Sequence, residues 1–396
     1  MPLTTKIVHG RLPGMKKPLA ILLNFFVSLT SALGTDIPMF RGNPQHTGVV
    51  ADSATPKGGA FLNPKWRFQT DGRIRSSAAL VNGVVYFGSD DGYLYAVKAS
   101  DGTLVWKLKT GGAVSSSPAV EKGLVYFMSR DGVFRAVETK SGNLKWTFPT
   151  GPELPFQGGW DWFLSSPVLS EESVVFGAGD GFVYALDSLS GNKRWTFKTA
   201  GRVRATPAIA NGTVYAGSMD GTLYALDLKS GELKWKFKTE GNQYFPLGEI
   251  QSSPAVADGT VFFGSRDGCL YAVAADTGKL RWRYSNQGNW VISSPAVAQG
   301  LVITGNSDGE YIHAIDAQTG KEKWRQDTKI NVFSSAIVTG GTVAIGDFYG
   351  KVWFLDLKTG EPKSVYYFEE RVNASPIVSD GVLYIGCEDY NFYAFQ

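Results

Sequence analysis

Residues Ala205 to Trp235 read ATPAIANGTVYAGSMDGTLYALDLKSGELKW, and this stretch decides the fold. Two apolar runs, Val214-Tyr-Ala-Gly-Ser and Leu223-Tyr-Ala-Leu-Asp, flank Asp220-Gly221. Short runs rich in Val, Tyr and Leu form buried strands, and Asp-Gly suits the positive φ values of a tight hairpin. Ser230-Gly231 marks a further turn, after which Trp235 opens the next strand. The stretch is therefore one unit of short antiparallel strands.

The unit recurs along the chain. Trp66, Trp106 and Trp146 lie 40 residues apart, as do Trp195 and Trp235, and Trp282 and Trp324 continue the series. Asp-Gly returns at Asp91, Asp131, Asp180, Asp267 and Asp308. Four strands in about 40 residues, repeated, is the signature of a β-propeller. A proline heads the first strand of most units (Pro118, Pro167, Pro207, Pro254, Pro295, Pro376). Proline donates no hydrogen bond, so it belongs on an edge strand, and the first strand of a blade is the edge lining the channel. First strands begin near Ser76, Ser116, Ser165, Ala205, Ser252, Ser293, Ser334 and Ala374, which predicts eight blades. The chain ends after the third strand of the eighth unit, and Trp66-Arg-Phe-Gln-Thr precedes the first unit. That N-terminal strand is expected to close the last blade and so remove an exposed sheet edge.

Residues 1–34 read as a signal peptide, with Lys16 and Lys17 before the apolar run Pro18–Leu33 and small residues at Ala32 to Gly34. Met15 competes with Met1 as the start, and an uncleaved anchor competes with cleavage. Residues 35–61 form a leader segment and residues 62–396 the propeller. Loss of residues 1–34 would remove Lys6, Arg11, Lys16 and Lys17 from 39 basic residues and nothing from 36 acids, leaving a net charge of −1. That balance excludes the basic footprint of a nucleic-acid binder. Two cysteines, Cys269 and Cys387, are too few for a disulfide framework. The expected location is periplasmic or secreted, and the expected state is monomeric with no stable membrane span after cleavage.

The motif Ala-x-Asp-x-x-Thr-Gly-x-x-x-Trp, present at Ala314-Ile-Asp316…Thr319-Gly320…Trp324, resembles the tryptophan-docking motif of the PQQ-like repeat β-propellers. Variants stand at Ala185…Trp195, Ala225…Trp235 and Ala272…Trp282, while the seventh unit has Ser364 in place of Trp. The leader Met39-Phe-Arg-Gly-Asn-Pro-Gln-His-Thr-Gly48 resembles the segment that precedes many such propellers. The resemblance implies either of two activities. One branch comprises quinoprotein dehydrogenases, which hold PQQ and calcium over the channel. The other comprises cofactor-free, BamB-like propellers of outer-membrane barrel assembly, one of which is a lipoprotein; this chain has no Cys for lipidation near residue 34.

Nothing in the residues points to a catalytic set or a metal site. Cys269 and Cys387 stand in different blades, whereas the dehydrogenases of the family carry an adjacent Cys-Cys pair. His46 and His313 form no ligand cluster, and no Ser/His/Asp arrangement is apparent from spacing. The recurrent aspartates read as turn formers. The informative departures are two long connections from an outer strand to the next inner strand. Trp to Pro spans 12 residues in most units, but 21 from Trp146 to Pro167 and 19 from Trp235 to Pro254. These insertions carry Phe156, Trp160, Trp162 and Phe163, then Tyr244 and Phe245; Trp290, Arg75 and Arg204 occupy equivalent loops. All these connections fall on one face, at the channel mouth. Loops on a rigid scaffold carry binding, and Trp, Tyr and Arg dominate interface hot spots. The loops are expected either to present a surface to a protein, small-molecule or glycan partner, or to fold back and plug the mouth. The seven repeat tryptophans are expected to be structural. No cofactor is expected on the scaffold reading. On the quinoprotein reading, Arg75 and Arg204 would face the carboxylates of PQQ.

Overall fold

The computed structural model describes residues 35–50, 64–155, 161 and 163–396. The chain divides into two units, Met1–Leu33 and Gly34–Gln396, and every described residue lies in the second. Among the described residues there is no helix, hence none long and apolar enough to cross a membrane. The strands form eight four-stranded antiparallel sheets, the blades of an eight-bladed β-propeller. Blade one runs from the channel outward as Ala79–Val81, Val84–Gly88, Tyr93–Lys98 and Leu104–Lys109. The inner strands of blades two to seven are Ala119–Glu121, Val168–Ser170, Ala208–Ala210, Ala255–Ala257, Ala296–Ala298 and Ile337–Thr339. Blade eight takes Ile377–Ser379, Val382–Gly386 and Asn391–Phe395 from the C-terminus and Trp66–Gln69 from the N-terminal side. The closing strand pairs Trp66 with Ala394 and Gln69 with Asn391, so the ring has no open end.

Period and burial explain each strand. The second strand of blades two to eight except blade six is buried throughout, because blades stack on both of its faces, whereas outer strands such as Leu104–Lys109 alternate exposed and buried residues. The turn aspartates cap the second hairpin: Asp91 accepts the Tyr93 N–H at 2.9 Å and the Tyr95 hydroxyl at 2.7 Å. Tyr184, Tyr224, Tyr271 and Tyr393 donate to Asp180, Asp220, Asp267 and Asp389 in the same way, at 2.6–2.8 Å.

Each repeat tryptophan joins its blade to the next. Trp195 donates its indole N–H to the Leu228 carbonyl at 2.8 Å, and its ring lies on Gly231. A Cβ on Gly231 would stand 2.6 Å from that ring, and the residue's φ is +74°, so the turn requires glycine. Trp66, Trp106, Trp146, Trp235, Trp282 and Trp324 repeat this contact on Gly102, Gly142, Gly191, Gly278, Gly320 and Gly360. Blade seven lacks the tryptophan for a physical reason. The glycine turn leading to a fourth strand does not exist in blade eight, whose fourth strand comes from the N-terminal side. Ser364 instead opposes Phe354, where other blades oppose Trp to Ala, and Tyr366 packs edge-on to Phe395 with centroids 5.3 Å apart.

Candidate functional site

The channel begins with the hydroxyl residue before each inner-strand proline or alanine. Ser77, Ser117, Ser166, Thr206, Ser253, Ser294, Ser335 and Ser375 form a closed ring in which each backbone N–H donates to the next blade's hydroxyl oxygen, at 2.9–3.1 Å. The bond from Ser375 to Ser77 completes the circle. Edge strands have free backbone groups, and this ring satisfies one donor of every blade without sheet pairing.

Below the ring the leader closes the channel. Backbone N–H groups at the centre of the inner strands donate to leader carbonyls: Leu80 to Ile37, Val120 to Pro38, Ile209 to Pro44, Val256 to Gln45, Val297 to Thr47 and Val338 to Gly48, at 2.7–2.8 Å. Six of eight blades are thus strapped by one extended segment. Arg41 is buried, and its guanidinium donates to the carbonyls of Ala336 and, at 2.9 Å, of Pro295. Burial pulls its pKa down to about 9, so it remains charged at neutral pH, solvated by channel-wall carbonyls. His46 is buried beside it. Burial, helped by the Arg41 charge and only partly opposed by the Pro254 carbonyl, pushes its pKa down to about 3, and the ring is neutral.

Between ring, leader and mouth lies a cavity of about 60 Å³, bounded by Phe40 below and by Phe163, Leu164, Ile292 and Phe333 above. Arg75 and Arg204 border it, and both are paired. Arg75 donates to Glu388 at 2.9 Å and Asp90 at 2.6 Å, and Asn373 also holds Glu388 at 2.6 Å. Arg204, with its side chain fully buried, donates to Asp161 at 2.7 and 2.8 Å and to Glu153 at 2.9 Å; Arg202 joins the same two acids. Burial opposes ionisation of Arg204 and Asp161, but their contact outweighs it, raising the arginine and lowering the carboxyl.

The loop inserted before blade three therefore returns Glu153 and Asp161 to the arginines of blade four. Trp160 and Trp162 lie outside the described residues. Phe163 lines the channel cavity. In the other long loop Phe245 packs edge-on to Trp290, centroids 4.7 Å apart, and both rings cover the Arg266 guanidinium, 5.9 and 5.1 Å away. Ile292, Phe333 and Phe348 extend this apolar sector. Tyr244, 75% exposed, and Tyr349, 70% exposed, stand on the same face with Leu247 and Tyr390. The mouth thus has self-paired ionic sectors at blades eight to one and three to four, and an aromatic sector across blades five to seven. The spacing of the sequence shows the loops, but not the acids that meet the arginines across them.

One arrangement invisible to spacing is a buried chain of three groups in blade six. Thr304 Oγ1 lies 2.8 Å from His313 Nε2, and His313 Nδ1 lies 3.4 Å from the Glu322 carboxylate. The types suit nucleophile, base and orienting acid. Thr304 and His313 are wholly buried, however, and neither borders the channel cavity, so no substrate reaches them. His313 occupies the place of the turn-bonding tyrosines, and the arrangement is a satisfied core network. Among the described residues no group of three or more His, Cys, Asp or Glu is arranged to hold a metal, and Cys269 and Cys387 are free and buried.

Comparison with known proteins agrees with this geometry. The family model described as outer membrane protein assembly factor BamB matches residues 53–161, 153–253 and 245–396. The structure of BamB from Moraxella catarrhalis is similar at a TM-score of 0.70 with 21% identity, covering 85% of this chain and 98% of that one. A europium-containing methanol dehydrogenase is similar at 0.74 with 15% identity, covering 89% and 90%. A computationally designed protein, Ika8, is similar at 0.71 with 18% identity, covering 85% and 100%. At these identities the likeness concerns the fold. A beta-alanine-activating enzyme of Danio rerio is 29% identical over 103 residues; the match spans 24% of this chain and 9% of that enzyme. With its repeats matched from residue 53 to residue 396, the chain belongs to the BamB family of PQQ-like repeat propellers.

Proposed function

We propose that the chain is a non-catalytic binding scaffold of the cell envelope, which offers the loop face of its propeller to a protein partner in outer-membrane protein assembly. The observation that carries this reading is the filled channel. The leader straps six inner strands, and the space left above it is about 60 Å³. Pockets for small molecules and cofactors run to roughly 300–1,000 Å³. That space is small for PQQ, a fused-ring tricarboxylate, and Arg75 and Arg204, the cations at the mouth nearest to such a role, are already held by Glu388, Asp90, Asp161 and Glu153. What the loop face does offer is exposed aromatic and aliphatic surface: Tyr244 and Leu247 in the loop that carries Phe245, Tyr349 beside Phe348, and Tyr390 in a turn of blade eight. Large, stiff aromatic side chains are the usual anchors of protein interfaces. The family's description supports outer-membrane assembly as the setting, and the signal-like residues 1–34, which lie outside the described residues, support export.

Site-specific photo-crosslinking in cells tests the reading. A crosslinkable residue at Tyr244 or Tyr349 is expected to give adducts of defined mass containing outer-membrane assembly proteins, and one at Leu144 on an outer strand is not. Equal labelling from both kinds of position, or none from the loop face, would contradict it.

A further inference from the structure

The repeats provide an internal control for one departure on the opposite face. In four blades the basic residue just before the docking position pairs with an aspartate seven residues earlier. The pairs are Arg194–Asp187 at 2.7 Å, Lys234–Asp227 at 3.2 Å, Lys323–Asp316 at 3.1 Å and Lys363–Asp356 at 3.0 Å. Blade five keeps the base, Arg281, but carries Ala274 where the aspartate belongs. Arg281 makes no ion pair with any described residue; its Nη1 donates to the Thr260 hydroxyl at 2.7 Å.

The released guanidinium stands at a groove of about 590 Å³ between blades five and six, the size of a small-molecule site. Phe262, Val297 and Leu301 give the groove an apolar lining. Its charged groups are Arg281, Lys323 and Lys358 against Asp258 and Asp316, and Lys323 is already paired with Asp316. Arg281 and Lys358 then face Asp258, which leaves one positive charge in excess, and of the two bases Arg281 has the planar fork of donors that suits an oxyanion.

We infer that this groove binds a small amphipathic anion, a carboxylate or phosphate group on an apolar body, with Arg281 as its anchor. The missing carboxylate of Ala274 is what makes room for the ligand's own charge. This site is separate from the loop face, and its failure would leave the scaffold reading untouched.

The test is titration of the full chain with phenyl phosphate and with benzoate, followed by calorimetry or NMR, with benzyl alcohol and benzylamine as neutral and cationic controls. At least one anion is expected to bind saturably and the controls are not; which anion binds tighter identifies the head group. Arg281→Ala should weaken binding by about tenfold or more, the effect of losing one charge-assisted contact. Ala274→Asp restores the pair seen in the other blades and should weaken binding similarly while the thermal midpoint holds. Lys358→Ala, in a turn of blade seven, gives a variant outside the blade-five strands and should weaken binding less. No saturable anion binding, equal binding of benzylamine, or anion affinity unchanged in both Arg281→Ala and Ala274→Asp would overturn the inference.

Discussion

Phe354 and Ser364 show how single residues record their place in the ring. Seven blades oppose an alanine to a tryptophan across the outer strand pair, and blade seven opposes a phenylalanine to a serine. The large ring has moved one strand inward because blade eight has no glycine turn to receive an indole. Ser364→Trp should therefore destabilise, by about 1–3 kcal/mol as for overpacked cores. Chemical denaturation measures this, and a neutral or stabilising result would mean that the site has room for both rings. His46 gives a pH dependence of defined sign. Its folded pKa, about 3, lies below the ordinary histidine value of 6.5, so the unfolded chain binds a proton that the folded chain refuses. The resulting stability is complete above pH 6.5 and declines as pH falls towards 3, by up to about 1.4 kcal/mol per unit. Burial shifts His313 the same way. The carboxyls held low in the fold, such as Glu322 at about 2, act only below their unfolded values near 4. Between pH 6.5 and 4.5 His46→Leu should thus flatten the fall in stability; an unchanged slope would show that His46 does not titrate on unfolding.

At the scale of elements, the closing strand and the leader perform different tasks. The closing strand supplies four paired residues, among them Trp66, whose indole docks on Gly102 of blade one. Deleting residues 62–70 removes both the pairing of blade eight and one blade-to-blade contact. Its thermal midpoint should fall far more than that of a variant shortened by as many residues in the loop around Tyr244; equal midpoints would refute closure by this strand. The blade count, the edge prolines and this closure were legible in the sequence because each follows from a period of about 40 residues. The leader's work was not. Its carbonyls meet residues from Leu80 to Val338, one contact per blade, and no local pattern announces such pairings. The hydroxyl ring was hidden for a similar reason. The Ser-Ser-Pro triplets are plain in the sequence, but a bond from one serine to the next blade's hydroxyl crosses 40 to 49 residues, and the last crosses 298.

At the scale of the molecule, the propeller uses one repeat for two different faces. On one, turns and connections of unequal length carry the paired arginines and the exposed aromatics; on the other, regular turns carry base–aspartate pairs in blades three, four, six and seven, and blade five keeps the base with Ala274 in place of the acid. Arg75 and Arg204 mark where sequence reasoning stopped. Their place in mouth loops was readable, but Glu388 comes from the far end of the chain and Asp161 from an insertion, so their neutralisation was not. That neutralisation, the ring and the leader are the features on which the proposed cofactor-free reading rests.

The most direct measurement is calorimetric titration of the purified full chain with PQQ, with and without calcium, followed by absorption spectroscopy for retained quinone. The account predicts no saturable heat and no bound chromophore under either condition. Saturable, calcium-dependent binding with a retained quinone spectrum would contradict it and return the chain to the dehydrogenase branch of its fold.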